Sequence, residues 1–279
     1  MIYFDYINRT RPILKWAGGK SSLIPQLLPH FPLHFNRYIE PFLGGGAVFF
    51  SLCEENNIQS IINEFNPDIY LLYKIIRDHP IEFIKKLKEL TNNYSEEFYY
   101  KIRSTIPKDD IEKAARTLFL NKTGFNGLYR INSKGEFNVP FGKRLKCPAL
   151  YEEENLLNVS HRLKNTQLHN KDFESICTEA APGDFIYCDP PYEPLSATSS
   201  FNSYNSGGFS FTEQKRLFSA CDKAVKKGAT VIISNSSSPK IIELYQKWDI
   251  KRILAKRSIN SKGNSRGVIE EVLIIMRTK

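Results

Sequence analysis

The chain has 279 residues, 41% hydrophobic and 13% aromatic, enough for one large packed domain or a core carrying an insertion. That composition excludes a disordered, collagen-like or disulfide-stapled chain. Lys+Arg 39 against Asp+Glu 30 gives a formal charge of +9, a balance suited to a polyanionic partner. In chain order, two short apolar runs, 38–42 and 60–65, read as buried parallel strands. A Gly-rich turn and a helix-like stretch, 47–55, separate them and make a β-α-β unit. Residues 67–164 break this rhythm with amphipathic helical patterns at 68–90, 96–103 and 111–121, then the stretch NKTGFNGLYRINSKGEFNVPFGK. The Asn-Ser-Lys-Gly centre of that stretch predicts a hairpin turn. The alternation then resumes, with strands at 184–188 and 230–234 and helices at 212–227 and 239–248. Two late strands follow at 250–255 and 268–276, with a basic polar loop between them. A Ser-, Asn- and Gly-rich stretch, 195–211, reads as a loop. Strands alternating with helices imply an open, mostly parallel α/β sheet covered on both faces, and the interruption reads as an inserted lobe. A cleft between core and insertion is a natural ligand site.

No run of about 18 apolar residues exists, so no membrane-spanning helix is expected. The segment MIYFDYINRTRP mixes charges into its apolar residues and lacks a signal-peptide core, so a cytoplasmic location is expected. Cys53, Cys147, Cys177, Cys188 and Cys221 are widely spaced and form no CxxC pair, which argues against a structural zinc site or a disulfide framework. His30 and His34 straddle the helix breaker Pro32. No metal is expected.

Two motifs carry chemistry. Glu40-Pro41-Phe42-Leu43-Gly44-Gly45-Gly46 follows the first strand, where glycines let the backbone turn tightly and approach a ligand. It is not GxGxxG, and alone it reads equally well as a plain tight turn. Glu64, ending the second strand, offers a carboxylate that accepts from two ribose hydroxyls, or is simply a solvated strand-end acid. The sharper motif is Asp189-Pro190-Pro191-Tyr192, at the mouth of the apolar run 185–188. Proline fixes φ and donates no N–H, so the carbonyls of Asp189 and Pro190 are left to point elsewhere. Two acceptors beside an aromatic face suit an exocyclic amino group on a flat ring; a structural turn with an incidental acid is the alternative. No Pro-Cys pair suggests covalent attack on a ring carbon.

Lys15-Trp16-Ala17-Gly18-Gly19-Lys20, then EPFLGGG, NEFNP, FNGLYRINSKGEFNVPFG, DPPY and RSINSKGNSRG resemble, in order and spacing, the DNA adenine-N6 methyltransferases of the D12 class. These place the cofactor motifs first and DPPY last, and the likeness, covering about residues 12–276, is greatest to GATC-specific enzymes of restriction–modification systems and phages. The resemblance implies a Rossmann-like, S-adenosylmethionine-dependent core at 1–66 and 165–279, with a helical and β-hairpin target-recognition insertion at 67–164. It implies methyl transfer from S-adenosylmethionine to N6 of a flipped adenine in double-stranded DNA, within GATC. It also allows a companion restriction endonuclease acting on the same site. Trp16, Lys20, Phe42, Glu64, Asp172, Phe173 and Asp189 match cofactor-binding positions, and Glu64 is one methylene longer than the Asp more usual there. Asp189, Pro190 and Tyr192 match the catalytic positions. Phe125 and Asn126 match residues that enter or clamp the duplex, and Leu128, Arg130 and Pro140 match base readers, joined from the core by Lys15. A different target sequence, or a non-catalytic DNA-binding relative, are the alternatives.

Overall fold

Strands buried on both faces need apolar side chains on both, and the central strands here are built that way. In β4 (Phe185–Cys188), Phe185 and Tyr187 enter one hydrophobic cluster while Ile186 and Cys188 enter the other. The computed structural model describes residues 10–52, 58–194, 209–256 and 268–278. Around β4, a seven-stranded sheet runs β3-β2-β1-β4-β5-β7-β6. The members β1 (Arg37–Glu40), β2 (Gln59–Asn63), β3 (Thr166–His169), β4 and β5 (Thr230–Ser236) pair in parallel. At the far edge, β7 (Val268–Met276) runs antiparallel to both β5 and β6 (Asp249–Lys256). The α/β sheet expected from the sequence is therefore present, its strand ends shifted by one to a few residues.

Helices cover both faces. On one, α8 (Phe173–Thr178), α9 (Phe211–Lys226) and α10 (Pro239–Leu244) bury Ile176, Leu217, Ala220, Ala224 and Ile241 against the sheet. On the other, α1 (Ile24–Leu27) and α2 (Ala47–Ser51) join the helices of residues 67–164 in one continuous cluster that runs from Phe185 and Tyr187 to Leu118 and Phe119. Those helices are α3 (Pro67–Asp78), α4 (Pro80–Asn92), α5 (Glu96–Ser104), α6 (Asp110–Thr123) and α7 (Glu153–Lys164). The single helical pattern read at 68–90 is in fact two helices. Pro80 has no N–H to continue the first, yet is well placed at the first turn of the second. The apolar periodicity runs through the break and conceals it.

The hairpin predicted after α6 forms with minimal ladder. Isolated bridges join Gly124 to Phe141 and Ile131 to Phe137, and Gly135, at φ 79°, turns the chain with its N–H on the Asn132 carbonyl at 3.0 Å. No helix among the described residues is long and apolar enough to cross a membrane. Of the loop expected at 195–211, residues 195–208 lie outside the described residues and Phe211 already opens α9; residues 257–267, with the RSINSKGNSRG motif, also lie outside them.

Candidate active site

Between β1 and β4 the chain order reverses: β1 is followed by its neighbour on one side, β4 by its neighbour on the other. Such a switch point opens a crevice at the carboxyl ends of the two strands. EPFLGGG leaves the end of β1 and DPPY leaves the end of β4, so the two motifs that the sequence separates by some 150 residues emerge side by side.

The glycine loop is held from below by polar side chains. The Leu43 N–H donates to the Asn63 carbonyl at 2.9 Å, and the Tyr73 hydroxyl donates to the Gly44 carbonyl at 2.9 Å. Asn63, fully buried, donates to the carbonyls of Pro41 and Lys171 and accepts from the Lys171 N–H, tying together the loops after β1, β2 and β3. Gly44 has φ 50°, and a Cβ there would lie 2.5 Å from Trp16 Nε1, so only glycine lets the loop close onto the indole.

Glu64 is buried, and its two oxygens accept from the Gly44 N–H at 2.9 Å and the Asn66 N–H at 2.8 Å. Burial pushes its carboxyl up to about 7 against the pull of those two bonds. Glu40, also buried, accepts from the Tyr38 hydroxyl at 2.7 Å and is held well above the usual carboxylate range by desolvation.

At the other lip, Lys20 Nζ lies 2.8 Å from Asp189 Oδ1 and donates to the Gly18 carbonyl at 2.7 Å. It also lies 4.9 Å from the centre of the Tyr192 ring. Burial raises the Asp189 carboxyl and the Lys20 ammonium pulls it back down. The Tyr192 hydroxyl donates to Glu271 on β7 at 2.8 Å. Among the described residues no donor is paired with the carbonyl of the buried Pro190, whereas the Pro191 carbonyl accepts from Gln214 Nε2 at 2.9 Å.

Phe42 and Phe173 stack with centroids 5.3 Å apart, and Phe209 closes on both at 5.7 and 5.6 Å, forming an apolar wall. Asp172 caps α8 through the Glu174 N–H and pairs with Arg216 at 2.9 Å. The Arg216 guanidinium in turn lies 4.9 Å over the Phe173 ring. Asp172 is thus engaged by a cation that the sequence reading does not include.

The expected DNA-facing residues also come together. Fully buried Asn121 on α6 accepts from the Lys15 N–H and donates to the carbonyls of Lys15 and Gly127, binding the KWAGGK segment to the start of the hairpin. The Lys15 stem packs on Gly127, where a Cβ would lie 2.4 Å from Lys15 Cδ. Phe125 is 44% exposed, Asn126 beside it takes φ 55°, and the Phe125 N–H donates to the Pro140 carbonyl at 2.9 Å. Leu128 is half-buried against the core. Arg130 is exposed, with Nε on Asn138 Oδ1 at 2.7 Å and Nη2 on the Asn138 carbonyl at 3.2 Å. Between them, Tyr129 faces inward, 6.1 Å from Trp16, and its hydroxyl donates to Asp68 at 2.7 Å.

Sequence reasoning misses the buried amides Asn63, Asn121, Gln214 and Asn235, each of which joins segments far apart in the chain. It also misses the convergence of Cys177, Cys188 and Cys221, whose sulfurs lie within 4.8 Å of one another in the core. They are the one His, Cys, Asp or Glu cluster with metal-ligand spacing among the described residues, and all three are buried.

Residues 16–259 match the family model of the D12 class N6 adenine-specific DNA methyltransferases. A type II methyltransferase of Lactococcus lactis subsp. cremoris is 41% identical over 95% of this chain and 94% of its own. A type II methyltransferase of Methanocaldococcus jannaschii is 41% identical over 95% and 98%, and the DNA adenine methylase of Escherichia coli K12 is 33% identical over 97% of each chain. The solved S-adenosylmethionine-dependent O-methyltransferase of Thermotoga maritima overlaps 93% of this chain and 65% of its own at 10% identity. Its TM-score of 0.40 is too low to carry weight.

Proposed function

The chain belongs to the D12 class of N6 adenine-specific DNA methyltransferases, and on that premise we propose that it methylates an adenine flipped out of duplex DNA within GATC, with residues 67–164 reading the target. The residues at the switch point suit S-adenosylmethionine. A glycine-lined backbone permits close approach, the acids Glu40, Glu64 and Asp189 stand at the ends of β1, β2 and β4 with Lys20 buried beside Asp189, and Phe42 and Phe173 offer a flat apolar wall. When bound, the cofactor supplies a methyl group made electrophilic by its sulfonium.

The adenine amino nitrogen is a poor nucleophile because its lone pair is delocalised into the ring. Asp189 Oδ and the Pro190 carbonyl accept its two protons, which turns the lone pair out of the ring and toward the methyl group. Positioning of this kind is worth about 7–11 kcal/mol, and preorganised acceptors add to it. The methylated nitrogen sheds one proton, which the Asp189 carboxylate takes up. Flipping the base costs a few kcal/mol, and stacking on Tyr192 returns about 1–3 kcal/mol. GATC is supported by the likeness to enzymes named DNA adenine methylase and by the FNGLYRINSKGEFNVPFG hairpin. A restriction endonuclease of the same site is the proposed companion, as the type II relatives suggest.

The observation that carries this reading is the pair of acceptors at the end of β4, Asp189 beside its lysine and a Pro190 carbonyl with no partner among the described residues. Asp189→Ala is expected to abolish methyl transfer while the folded variant still binds duplex DNA. Substantial residual turnover overturns the assignment. Sequencing of methylated adenines in DNA from a methylation-free host expressing the protein is expected to show GATC; another motif keeps the chemistry and replaces the target.

A further inference from the structure

The DPPY turn is gripped by two buried amide side chains that no catalytic step uses. Gln214 on α9 and Asn235 on β5 are both fully buried. Gln214 Nε2 donates to the Pro191 carbonyl at 2.9 Å, and Asn235 Nδ2 donates to Gln214 Oε1 at 3.0 Å. Asn235 Oδ1 accepts from the N–H groups of Ser236 at 2.8 Å and Glu193 at 3.4 Å. Ser236 Oγ donates to the Glu193 carbonyl at 2.7 Å, and the Glu193 carboxylate pairs with Lys240 at 3.0 Å.

The direction of this chain is fixed at both ends. A backbone N–H only donates and a backbone carbonyl only accepts, so each amide has a single orientation that satisfies the whole series. Burying two amides is costly unless every bond is made, and a packed core has no need of them. What they hold are the peptide groups on either side of Tyr192. The two prolines already lock their own φ angles. Gln214 then fixes the plane of the Pro191–Tyr192 peptide, and Asn235 fixes the Tyr192–Glu193 peptide. Among the described residues no donor is paired with the Pro190 carbonyl, nor with those of Asp189 and Tyr192, whereas the Pro191 carbonyl is held by Gln214.

We infer that Gln214 and Asn235 are positioning residues that hold the DPPY turn rigid so that the Pro190 carbonyl stays aimed at the target amino group and is not drawn into a hydrogen bond of its own. The inference rests on the reading of Asp189 and Pro190 as the two acceptors of the amino protons.

Gln214→Glu tests it. The ionised carboxylate of this variant has no hydrogen for the Pro191 carbonyl and repels it, while the protonated acid restores the donor and still accepts from Asn235. Single-turnover methyl transfer on a GATC duplex is therefore expected to fall at least tenfold at pH 8. The ratio to wild type is then expected to recover by about tenfold per pH unit of acidification until the acid is protonated. The charged neighbours Asp189, Glu193 and Lys240 are present in both proteins, so taking the ratio cancels the pH dependence the two proteins share. Gln214→Met lacks the donor at every pH, and its ratio is expected to stay low and flat. Cofactor and DNA affinities of both variants are expected to match wild type, because the defect is in aim and not in binding. If Gln214→Glu does not fold, Asn235→Asp, which keeps its acceptor and loses its donor, carries the same pH test. A wild-type rate in folded Gln214→Met, or a flat ratio for Gln214→Glu, overturns the inference. Asp189→Ala run in parallel separates the two readings: if it is dead while Gln214→Met is fully active, only the clamp falls, and if it is active, the acceptor reading falls with it.

Discussion

Glu64 is where a single methylene matters. Its oxygens already hold the N–H groups of Gly44 and Asn66, so the longer side chain doubles as a brace for the glycine loop, and on the proposed function the remaining lone pairs are left for ribose hydroxyls. Hydroxyl donors favour the ionised form, and burial pushes the carboxyl up to about 7. Binding must then expel a proton whenever the acid is protonated beforehand. Cofactor affinity is expected to be level above pH 7 and to fall about tenfold per pH unit below it, and calorimetry in buffers of different ionisation enthalpy is expected to register proton release. Glu64→Gln should remove that pH dependence; an unchanged profile would separate Glu64 from the cofactor. Lys20 acts on Asp189 in the opposite sense, since its ammonium lowers a carboxyl that burial raises. Removing it in Lys20→Met leaves only the Tyr192 hydroxyl to oppose burial, so the acidic limb of the transfer rate is expected to move to higher pH. A limb that stays in place would mean that another charge sets the state of Asp189.

At the scale of elements, the parts legible in the sequence are those whose cause is local. Phe185-Ile186-Tyr187-Cys188 reads as a strand because a two-faced buried strand leaves no other pattern, and DPPY reads as a site because its prolines punctuate that strand's end. The strand at 268–276 falls where expected for the same reason. Helices α3 and α4 read as one because periodicity reports the buried face and is silent on the peptide that lacks an N–H. Asn63, Asn121, Gln214 and Asn235 are illegible altogether, since a lone amide in a sequence reads as surface. The partners that bury them lie as far as 108 residues away, as between Asn63 and Lys171. The glycine loop lies between these cases: its glycines mark a turn, and only the fold shows that Trp16 fills the space above Gly44. Gly44→Ala combines a φ of 50° with a Cβ 2.5 Å from the indole nitrogen. It is expected to cost about 1–3 kcal/mol in urea unfolding and to weaken cofactor binding more than DNA binding. Equal losses of both would make the loop a general structural support.

Across the whole molecule, the charge of +9 does not by itself separate grip from recognition, but on the proposed function the hairpin would supply both in neighbouring residues. Lys143, Arg144 and Lys146 are exposed at its end, and among the described residues no acid is paired with them, the pattern of side chains that meet phosphates. Arg130 differs, because Asn138 already takes its Nε and one Nη2 hydrogen. A guanidinium has five N–H donors, so three remain, two of them parallel along the Nη1–Nη2 edge, held in the plane that Asn138 sets. That edge matches the O6 and N7 acceptors that guanine shows in the major groove. The two kinds of cation should therefore separate by experiment. Replacing Lys143, Arg144 and Lys146 together by Ala is expected to weaken binding to every duplex alike and to lower the slope of log affinity against log salt by about 0.9 for each phosphate lost. Arg130→Ala is expected to cost about 1–3 kcal/mol at one guanine of the target and to bring near-cognate duplexes closer to the cognate one. Asn138→Ala, which frees the guanidinium without removing it, should relax the same position by a smaller amount. Rates on a panel of single-base-substituted duplexes decide the matter, and a uniform loss for Arg130→Ala across that panel would make it one more phosphate contact.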